Sequence, residues 1–297
     1  MRSSLRHLSE RLKDAGHPAS PPTVARLLRK LGYCLRVNAK KREASSTHPD
    51  REAQFEVIAR QRQVFEAADW PIRSRDTKKK ELIGNFKNAG RAWGREAEAV
   101  NVHDFPHDAL LRAVPYGIYD VSHNRGSVYV GTSADTPEFA VTALAHWWED
   151  EGRQRFPQAT HLLILADAGG SNGSRTRSFK LHLQEQISDR YGLSVTVCHY
   201  PTGCSKWNPI EHRLFSQISL NWAGKPLRSL DLMLNYIRGT TTQTGLTVQA
   251  AVLDGIFEKG QKVSDEQMQQ LNLEYQSVCH QWNYTIRPRL AVLFGAT

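Results

Sequence analysis

Three acidic residues, far apart in the chain, fall where predicted strands end or a predicted helix begins. Asp76 lies in the strand-like stretch "PIRSRD", Asp167 closes the apolar run "HLLILAD", and Glu211 opens an amphipathic helix after "WNP". Three carboxylates brought close together repel one another unless a cation lies among them. Hard oxygen ligands suit Mg²⁺ or Mn²⁺, and two such ions about 4 Å apart can drive an in-line displacement at a phosphodiester. The acids therefore predict metal-dependent phosphoryl transfer on nucleic acid.

The hydrophobic periodicity predicts the elements that would hold these acids, in the order β-β-β-α-β-α-β-α. Three antiparallel strands followed by two parallel crossovers predict an α/β fold with an RNase H-like mixed five-stranded sheet and flanking helices. In such a sheet the first and fourth strands are neighbours, so Asp76 and Asp167 lie at adjacent strand ends. The predicted strands are "PIRSRDTKKKELIGNF", "YGIYDVS", "GSVYVGTS", "HLLILAD" and "LSVTVCHYP".

Five further residues lie close in sequence to these acids and have two interpretations each. Asn172 belongs to the glycine-rich turn "AGGSNG", whose amides could approach a phosphate or simply form a turn. Asn208 could position a metal-bound water or cap the helix that follows. His199 and His212 could contact phosphate or be hydrogen-bonded in place, and Trp207 could stack on an unpaired base or lie in the core.

Positive charge is concentrated at the N-terminus. The chain carries a net charge of +9, and residues 1–51 contain twelve Lys or Arg against four acids. Two amphipathic helices around "HPAS" predict a helix-turn-helix whose second helix bears Arg26, Arg29 and Lys30, although an ordinary αα-hairpin has the same pattern. Concentrated positive charge is typical of a surface that binds a polyanion. Double-stranded DNA is the partner that this combination predicts.

Other cations could add to the DNA surface. A polar, basic linker follows the predicted helix pair, and three lysines follow the first acid, where a strand would direct alternate side chains to opposite faces. The candidates in these two segments are Lys40, Lys41, Arg42, Lys78 and Lys80.

The composition argues against two classes of protein. No apolar run approaches the length of a membrane span, and the N-terminus lacks the apolar segment of a secretory signal. The four cysteines show no paired spacing, which favours reduced, buried thiols. We therefore expect a cytoplasmic, nucleoid-associated protein without a membrane segment.

Several long motifs closely resemble the DDE transposases of bacterial insertion sequences, in the Rhodopirellula-type branch (the ISAzo group). The resemblance runs from "TVARLLRKLGY" to "WNYTIRP" and thus covers nearly the whole chain. The motifs that carry it are "DTKKKELIGNFKNAGRAW", "VNVHDF", "YGIYDV", "LLILADAGGSNGSR", "HYPTGCSKWNPIEHRLFSQIS" and "QWNYTIRP".

The resemblance implies a catalytic triad and an activity. Asp76, Asp167 and Glu211 match the three acids of the family, which is the main reason to prefer Asp76 over Asp104 and Asp120. The resemblance also implies DNA strand cleavage and strand transfer at element ends, with two Mg²⁺ or Mn²⁺ ions. It further implies that the protein assembles as a homo-oligomer on DNA. The same residues would serve another RNase H-like nuclease, and an inactive DNA-binding relic is a further alternative.

Two departures from the family pattern accompany the resemblance. The segment before the first acid is normally a smooth apolar strand, whereas here it contains Arg73 and Arg75, of which Arg75 is expected to face away from Asp76. Family members also extend further upstream than Met1, so the DNA-binding region is expected to be partial. The expected organisation is a helix-turn-helix and basic linker over residues 1–45, and a catalytic domain with a C-terminal extension over residues 46–297.

Overall fold

In the computed structural model, which describes residues 4–33, 48–104 and 106–289, the chain divides into two units, Met1–Ser46 and Thr47–Thr297. The predicted linker cations Lys40, Lys41 and Arg42 lie outside the described residues. The division follows the change from the basic N-terminal segment to the segment that carries the three acids.

The first unit contains helices α1 (Leu5–Asp14) and α2 (Pro21–Lys30), close to the predicted positions. Ser4 caps α1 and Ser20 caps α2, each through a side-chain oxygen that accepts a backbone N–H of the first turn. Gly16 ends α1 with φ +83°, a left-handed conformation that glycine adopts without strain. The DNA-binding role of this helix pair remains a prediction.

The second unit follows the predicted alternation of strands and helices. Several of its helices continue through π-helical turns, at Trp148–Gly152, Leu183–Asp189 and Glu211–Phe215. Its elements are α3 (Arg51–Ala67), β1 (Ile72–Thr77), β2 (Glu81–Ile83), β3 (Leu111–Asp120), β4 (Arg125–Gly131), α4 (Pro137–Trp147), α5 (Arg153–Arg155), β5 (His161–Asp167), α6 (Arg177–His182), β6 (Ser194–Tyr200), α7 (Ser216–Asn221), α8 (Leu230–Arg238), β7 (Thr247–Val252), α9 (Asp265–Gln269), β8 (Leu273–Tyr275) and β9 (Asn283–Ile286).

The central strands of the sheet lie in the order β4-β3-β1-β5-β6. Strand β3 is antiparallel to β1 and β4, whereas β5 is parallel to both β1 and β6. This is the predicted mixed α/β arrangement, with three antiparallel strands and two parallel crossovers. The first and fourth predicted strands, β1 and β5, are therefore neighbours.

The sheet is larger than predicted, so the count of five strands is wrong. Strand β7 pairs parallel with β4 at one edge, and β9 pairs antiparallel with β6 at the other, where β8 adds to β9. The predicted first strand is also divided, because β2 pairs with the opposite end of β3. The added strands are short or half-exposed, so they lack the strong apolar pattern by which strands are predicted.

Strand β5 is buried on both faces, which explains its unbroken apolar run. Leu162 and Ile164 pack in a cluster with α4 and α6, whereas Leu163 and Leu165 pack in a cluster with α3. Because side chains alternate along a strand, Asp167 continues the second set. Its carboxylate therefore projects on the α3 face of the sheet.

The two unusual arginines of β1 lie in the core on the other face. Arg73 and Arg75 are both fully buried. The Arg73 guanidinium carbon lies 4.3 Å from the ring centroid of Trp147, and that of Arg75 lies 4.2 Å from the ring centroid of Phe179. Both arginines thus face α4 and α6, as expected for Arg75, and neither projects on the face of Asp76.

Arg73 is held in the core by a buried ion pair. Its Nη1 lies 3.1 Å from Oδ1 of Asp120, and Nη1 of Arg155 lies 2.9 Å from Oδ2 of the same carboxylate. Burial would raise the pKa of Asp120, but Arg73, His123 and Arg155 together lower it below its ordinary value. Asp120 is therefore an ion-pair partner within the core, which distinguishes it from the acids of the candidate site.

We expect Asp120→Asn to destabilise the protein by about 3–5 kcal/mol, because the substitution leaves the Arg73 cation buried without its carboxylate. Urea unfolding followed by circular dichroism measures the change. The exposed Asp104 provides a matched control, for which Asp104→Asn should stay within about 0.5 kcal/mol. Equal effects of the two substitutions would contradict a buried ion pair at Asp120.

Neither a membrane helix nor a disulfide was expected from the sequence. Among the helices that the structure describes, none is long and apolar enough to cross a membrane. Cys198, Cys204 and Cys279 are buried and free, as predicted for thiols without paired spacing.

Candidate active site

Strand pairing sets the positions of the first two acids. Arg75 of β1 pairs with Ala166 of β5 in a parallel register, so Asp76 and Asp167 are the next residues on two neighbouring strands. Ile72 and Leu163 share the cluster on the α3 face, and alternation from these residues directs both carboxylates to that same face. The structure thus brings together the first two predicted acids.

Glu211 is brought to the same face by a close approach of its helix to the sheet. Gly117 of β3, which pairs with Asp76, faces the ring of Phe215 in the π-helical turn that begins at Glu211. A Cβ built at Gly117 would lie 2.5 Å from that ring. Glycine is therefore required at this position for the turn to pack close enough to present Glu211 beside the two strand acids.

Asn208 connects the acids to the sheet. Its Nδ2 donates to Oδ1 of Asp167 at 3.1 Å, and its Oδ1 accepts a hydrogen bond from Ser74 Oγ at 2.5 Å. The same Ser74 oxygen accepts the backbone N–H of Ile210 at 3.1 Å. Asn208 is fully buried, so its amide orients Asp167 and anchors the segment before Glu211. Its side-chain oxygen bonds Ser74, while its backbone carbonyl accepts the N–H of Glu211.

The pKa values of all three carboxylates are raised, and burial is the largest cause for each. Burial, followed by the charges of Asp167, Glu211 and Asp135, raises the pKa of Asp76 to about 8, although the Thr77 amide opposes this. Burial also raises the pKa of Asp167, and burial together with the charge of Asp167 raises that of Glu211. The site therefore disfavours three simultaneous negative charges unless a cation compensates them.

The donor set fits a hard divalent cation. Carboxylate oxygens are the ligands that Mg²⁺ and Mn²⁺ prefer, and the raised pKa values indicate that positive charge is lacking among them. Over the described ranges, no three His, Cys, Asp or Glu side chains already form a metal-binding group. A bound ion would have to draw Asp76, Asp167 and Glu211 closer together.

Asp135 is a fourth acid beside the site, which the sequence analysis did not identify. Thr77, directly after Asp76, donates its hydroxyl to Oδ1 of Asp135 at 3.1 Å and its backbone N–H to Oδ1 of Asp76 at 2.7 Å. Asp135 lies in the loop before α4, next to the Thr136 N-cap. Its position after the third long strand was the available signal, but an acid near a helix start is ordinarily explained by the helix dipole.

Two buried polar side chains, Asn172 and His199, hold the glycine-rich turn in place. Asn172 is buried, and its Oδ1 accepts the Tyr116 hydroxyl at 2.9 Å. The Nε2 of His199 lies 2.8 Å from the Asn172 carbonyl oxygen, and burial lowers the pKa of His199 to about 4. Neither side chain is exposed to a phosphate, so both hold the turn that follows Asp167 in place.

The remaining predicted residues fall into exposed and buried groups. Lys78 is buried, with its Nζ 2.8 Å from Glu81 Oε1, so its predicted contact with a DNA backbone is wrong. Lys80 is exposed, and so is His212, whose Nε2 contacts the Lys206 carbonyl oxygen. The Nζ of Lys78 also lies 4.7 Å from the ring centroid of Trp222, so this side chain packs against the protein.

The electrostatics of the site predict a pH dependence of stability. In the metal-free folded protein Asp76 has a pKa of about 8, against about 3.9 when unfolded. The folded state therefore binds this proton more tightly, and the stability that it confers is lost as the pH rises through 8. We expect Asp76→Asn to raise the Tm relative to wild type near about pH 9. The expected rise is about 2–4 °C for each kcal/mol gained in the free energy of unfolding.

Calorimetry in EDTA between about pH 5 and about pH 9 measures this effect. The Asp76→Asn curve should fall less steeply with pH than that of wild type, while Asp104→Asn should follow wild type. Parallel curves for Asp76→Asn and wild type would show that Asp76 does not carry a raised pKa.

Comparisons with known proteins show which proteins this chain is similar to. The family model described as Rhodopirellula transposase DDE domain matches residues 1–288. No curated protein matches the chain.

Several solved structures of Mos1 transposase are similar to this chain. The paired-end complex with left transposon end is 14% identical, with a TM-score of 0.46, over 80% of this chain and 66% of that chain. The Mos1 strand transfer complex is 15% identical, with a TM-score of 0.43, over 80% and 65%. The mariner paired-end complex with Mg is 12% identical, with a TM-score of 0.45, over 80% and 66%. The present chain thus spans slightly less than two thirds of these Mos1 chains.

Proposed function

We propose that this chain, which belongs to the Rhodopirellula transposase DDE domain family, cleaves DNA strands at the ends of an insertion sequence and transfers them to target DNA. The observation that carries the proposal is the position of Asp76, Asp167 and Glu211. These residues come from two neighbouring strands and one helix start, and each has a raised pKa. Such a concentration of perturbed carboxylates is typical of a catalytic site.

The proposed mechanism gives each residue a defined role. Two Mg²⁺ or Mn²⁺ ions would activate a water or a 3′-hydroxyl and stabilise the leaving oxygen. Asp76 and Asp167 would hold these ions from the rigid strand ends, and Glu211 would complete the set from the helix. Asn208 keeps one oxygen of Asp167 directed by a hydrogen bond, which leaves the other oxygen for a ligand.

Double-stranded DNA is the proposed partner, both at the element ends and as target. Support comes from α2, on which Arg26, Arg29 and Lys30 are all exposed. Their spacing of three and four residues places them on one face of the helix. Lys80, exposed beyond β1, is a further candidate for a phosphate contact. On this proposal the protein acts in the cytoplasm at the nucleoid and assembles as a homo-oligomer on DNA.

The triad predicts that three conservative substitutions remove activity. Asp76→Asn, Asp167→Asn and Glu211→Gln should each lower the rate of Mg²⁺-dependent cleavage by about 10²–10³-fold or more, because each removes a carboxylate that would hold the ions that stabilise the transition state. The assay uses DNA that carries the element end and measures both nicking and joining.

The same assay separates the alternatives. Asp104→Asn, which changes an exposed acid, should cleave and join like wild type. Cleavage without joining would support a nuclease that is not a transposase. Binding without cleavage by wild type would support an inactive relic, and undiminished cleavage by any triad variant would exclude that residue from the site.

The basic N-terminal unit predicts the salt dependence of binding. Log Kd should rise linearly with log salt concentration, with a slope of about 0.9 for each phosphate neutralised. Deletion of residues 1–45 should flatten this slope, and so should the combined replacement of Arg26, Arg29 and Lys30 by Ala. Titrations by fluorescence anisotropy at several salt concentrations measure the slope. An unchanged slope in both variants would place the DNA surface elsewhere.

A further inference from the structure

Trp207 is an exposed aromatic side chain at the edge of the candidate active site. Its side chain is 53% exposed, which rules out the alternative interpretation of a core tryptophan. It ends the short 3₁₀ turn Ser205–Trp207, which connects β6 to the segment that carries Glu211. Core packing therefore does not account for the position of this ring.

The ring is held in place without being buried. Phe55 of α3 lies edge-to-face against Trp207, with ring centroids 5.9 Å apart, and Phe55 in turn packs against Tyr200 at 6.2 Å. The backbone N–H of Trp207 donates to the Cys204 carbonyl oxygen at 2.8 Å. An aromatic ring that is fixed by its neighbours and half-exposed provides a preformed surface for stacking.

Trp207 is directly linked to the residues that position the acids. It precedes Asn208, whose amide donates to Asp167 at 3.1 Å. The Asn208 carbonyl oxygen accepts the backbone N–H of Glu211, also at 3.1 Å. Tyr200, against which Phe55 packs, pairs with Asp167 in the sheet, so the aromatic surface lies near the strand end that carries this carboxylate.

Two cations border the aromatic surface. The Nζ of Lys206 lies 5.7 Å from the ring centroid of Trp207, and the guanidinium carbon of Arg51 lies 5.2 Å from that of Phe55. Lys206 is exposed. Cations beside a stacking ring are the combination that binds single-stranded nucleic acid, because the cation attracts the phosphate while the ring stacks on the base.

We propose that Trp207 stacks on an unpaired base next to the scissile phosphodiester, while Lys206 contacts the phosphate of the same nucleotide. This inference rests on the proposed function and specifies the form of its substrate, a DNA strand locally separated from its complement. Stacking tolerates any base because every base has a π face. Trp207 would thus position the strand for cleavage without reading its sequence.

The test compares two short duplexes that both contain 2-aminopurine, one with the fluorescent base unpaired and one with it paired. Binding is measured with the full chain in Ca²⁺, by anisotropy and by quenching of 2-aminopurine emission. Trp207→Ala should weaken binding of the unpaired duplex by roughly 5- to 150-fold and abolish the quenching. Binding of the paired duplex should not change, and Trp207→Phe should retain most of the preference.

Two further variants keep the test decisive. Trp93→Ala removes another fully exposed tryptophan, in the segment between β2 and β3, and should bind both duplexes like wild type. Trp207→Leu keeps apolar bulk against Phe55 but has no π face, so it should lose the preference and the quenching as Trp207→Ala does. Wild-type preference and quenching in either Trp207→Ala or Trp207→Leu would overturn the inference. Failure of wild type to bind either duplex would instead contradict the proposed function.

Discussion

The cost of holding three carboxylates close together in a half-buried site is the constraint on which the rest of this site depends. Left alone, Asp76, Asp167 and Glu211 would separate or take up protons, and the pKa of about 8 at Asp76 shows how strongly their surroundings disfavour negative charge. The fold keeps them together by rigid means. Parallel pairing fixes the two strand acids, Gly117 lets the helix turn approach the sheet, and Asn208 fastens the segments to each other. Because the fold holds these carboxylates together although their negative charges repel, the site favours binding of a cation.

The opposite face of β1 shows how the same strand accommodates two arginines. Arg73 is compensated by Asp120 and lies over Trp147, while Arg75 lies over Phe179. Burial lowers the pKa of Arg75, and the charge of Asp76 is among the influences that raise it. The departure from a smooth apolar strand is thus compatible with the acid site.

The sequence was sufficient for features that depend on strong periodicity. The buried strand His161–Asp167 was predicted with its observed bounds. The order of elements also predicted that β1 and β5 pair side by side. It was insufficient wherever a tertiary contact decided the outcome. Burial of Lys78 depends on its contact with Glu81, Asp135 is brought in by the Thr77 hydroxyl, and the exposure of Trp207 depends on the packing of α3. The added strands β7 to β9 were missed because short or half-exposed strands carry little apolar pattern.

Direct measurement of Mn²⁺ binding tests the central claim, that the three carboxylates form a cation site. Electron paramagnetic resonance titration of the metal-free protein would be compared with the same titration of Asp167→Asn and of the exposed-acid control Asp104→Asn. The account predicts that wild type and the control bind Mn²⁺ and release protons as they do so, because Asp76 is largely protonated below about pH 8 without metal. It predicts that Asp167→Asn loses most of this binding. Equal Mn²⁺ affinity in all three proteins would contradict it.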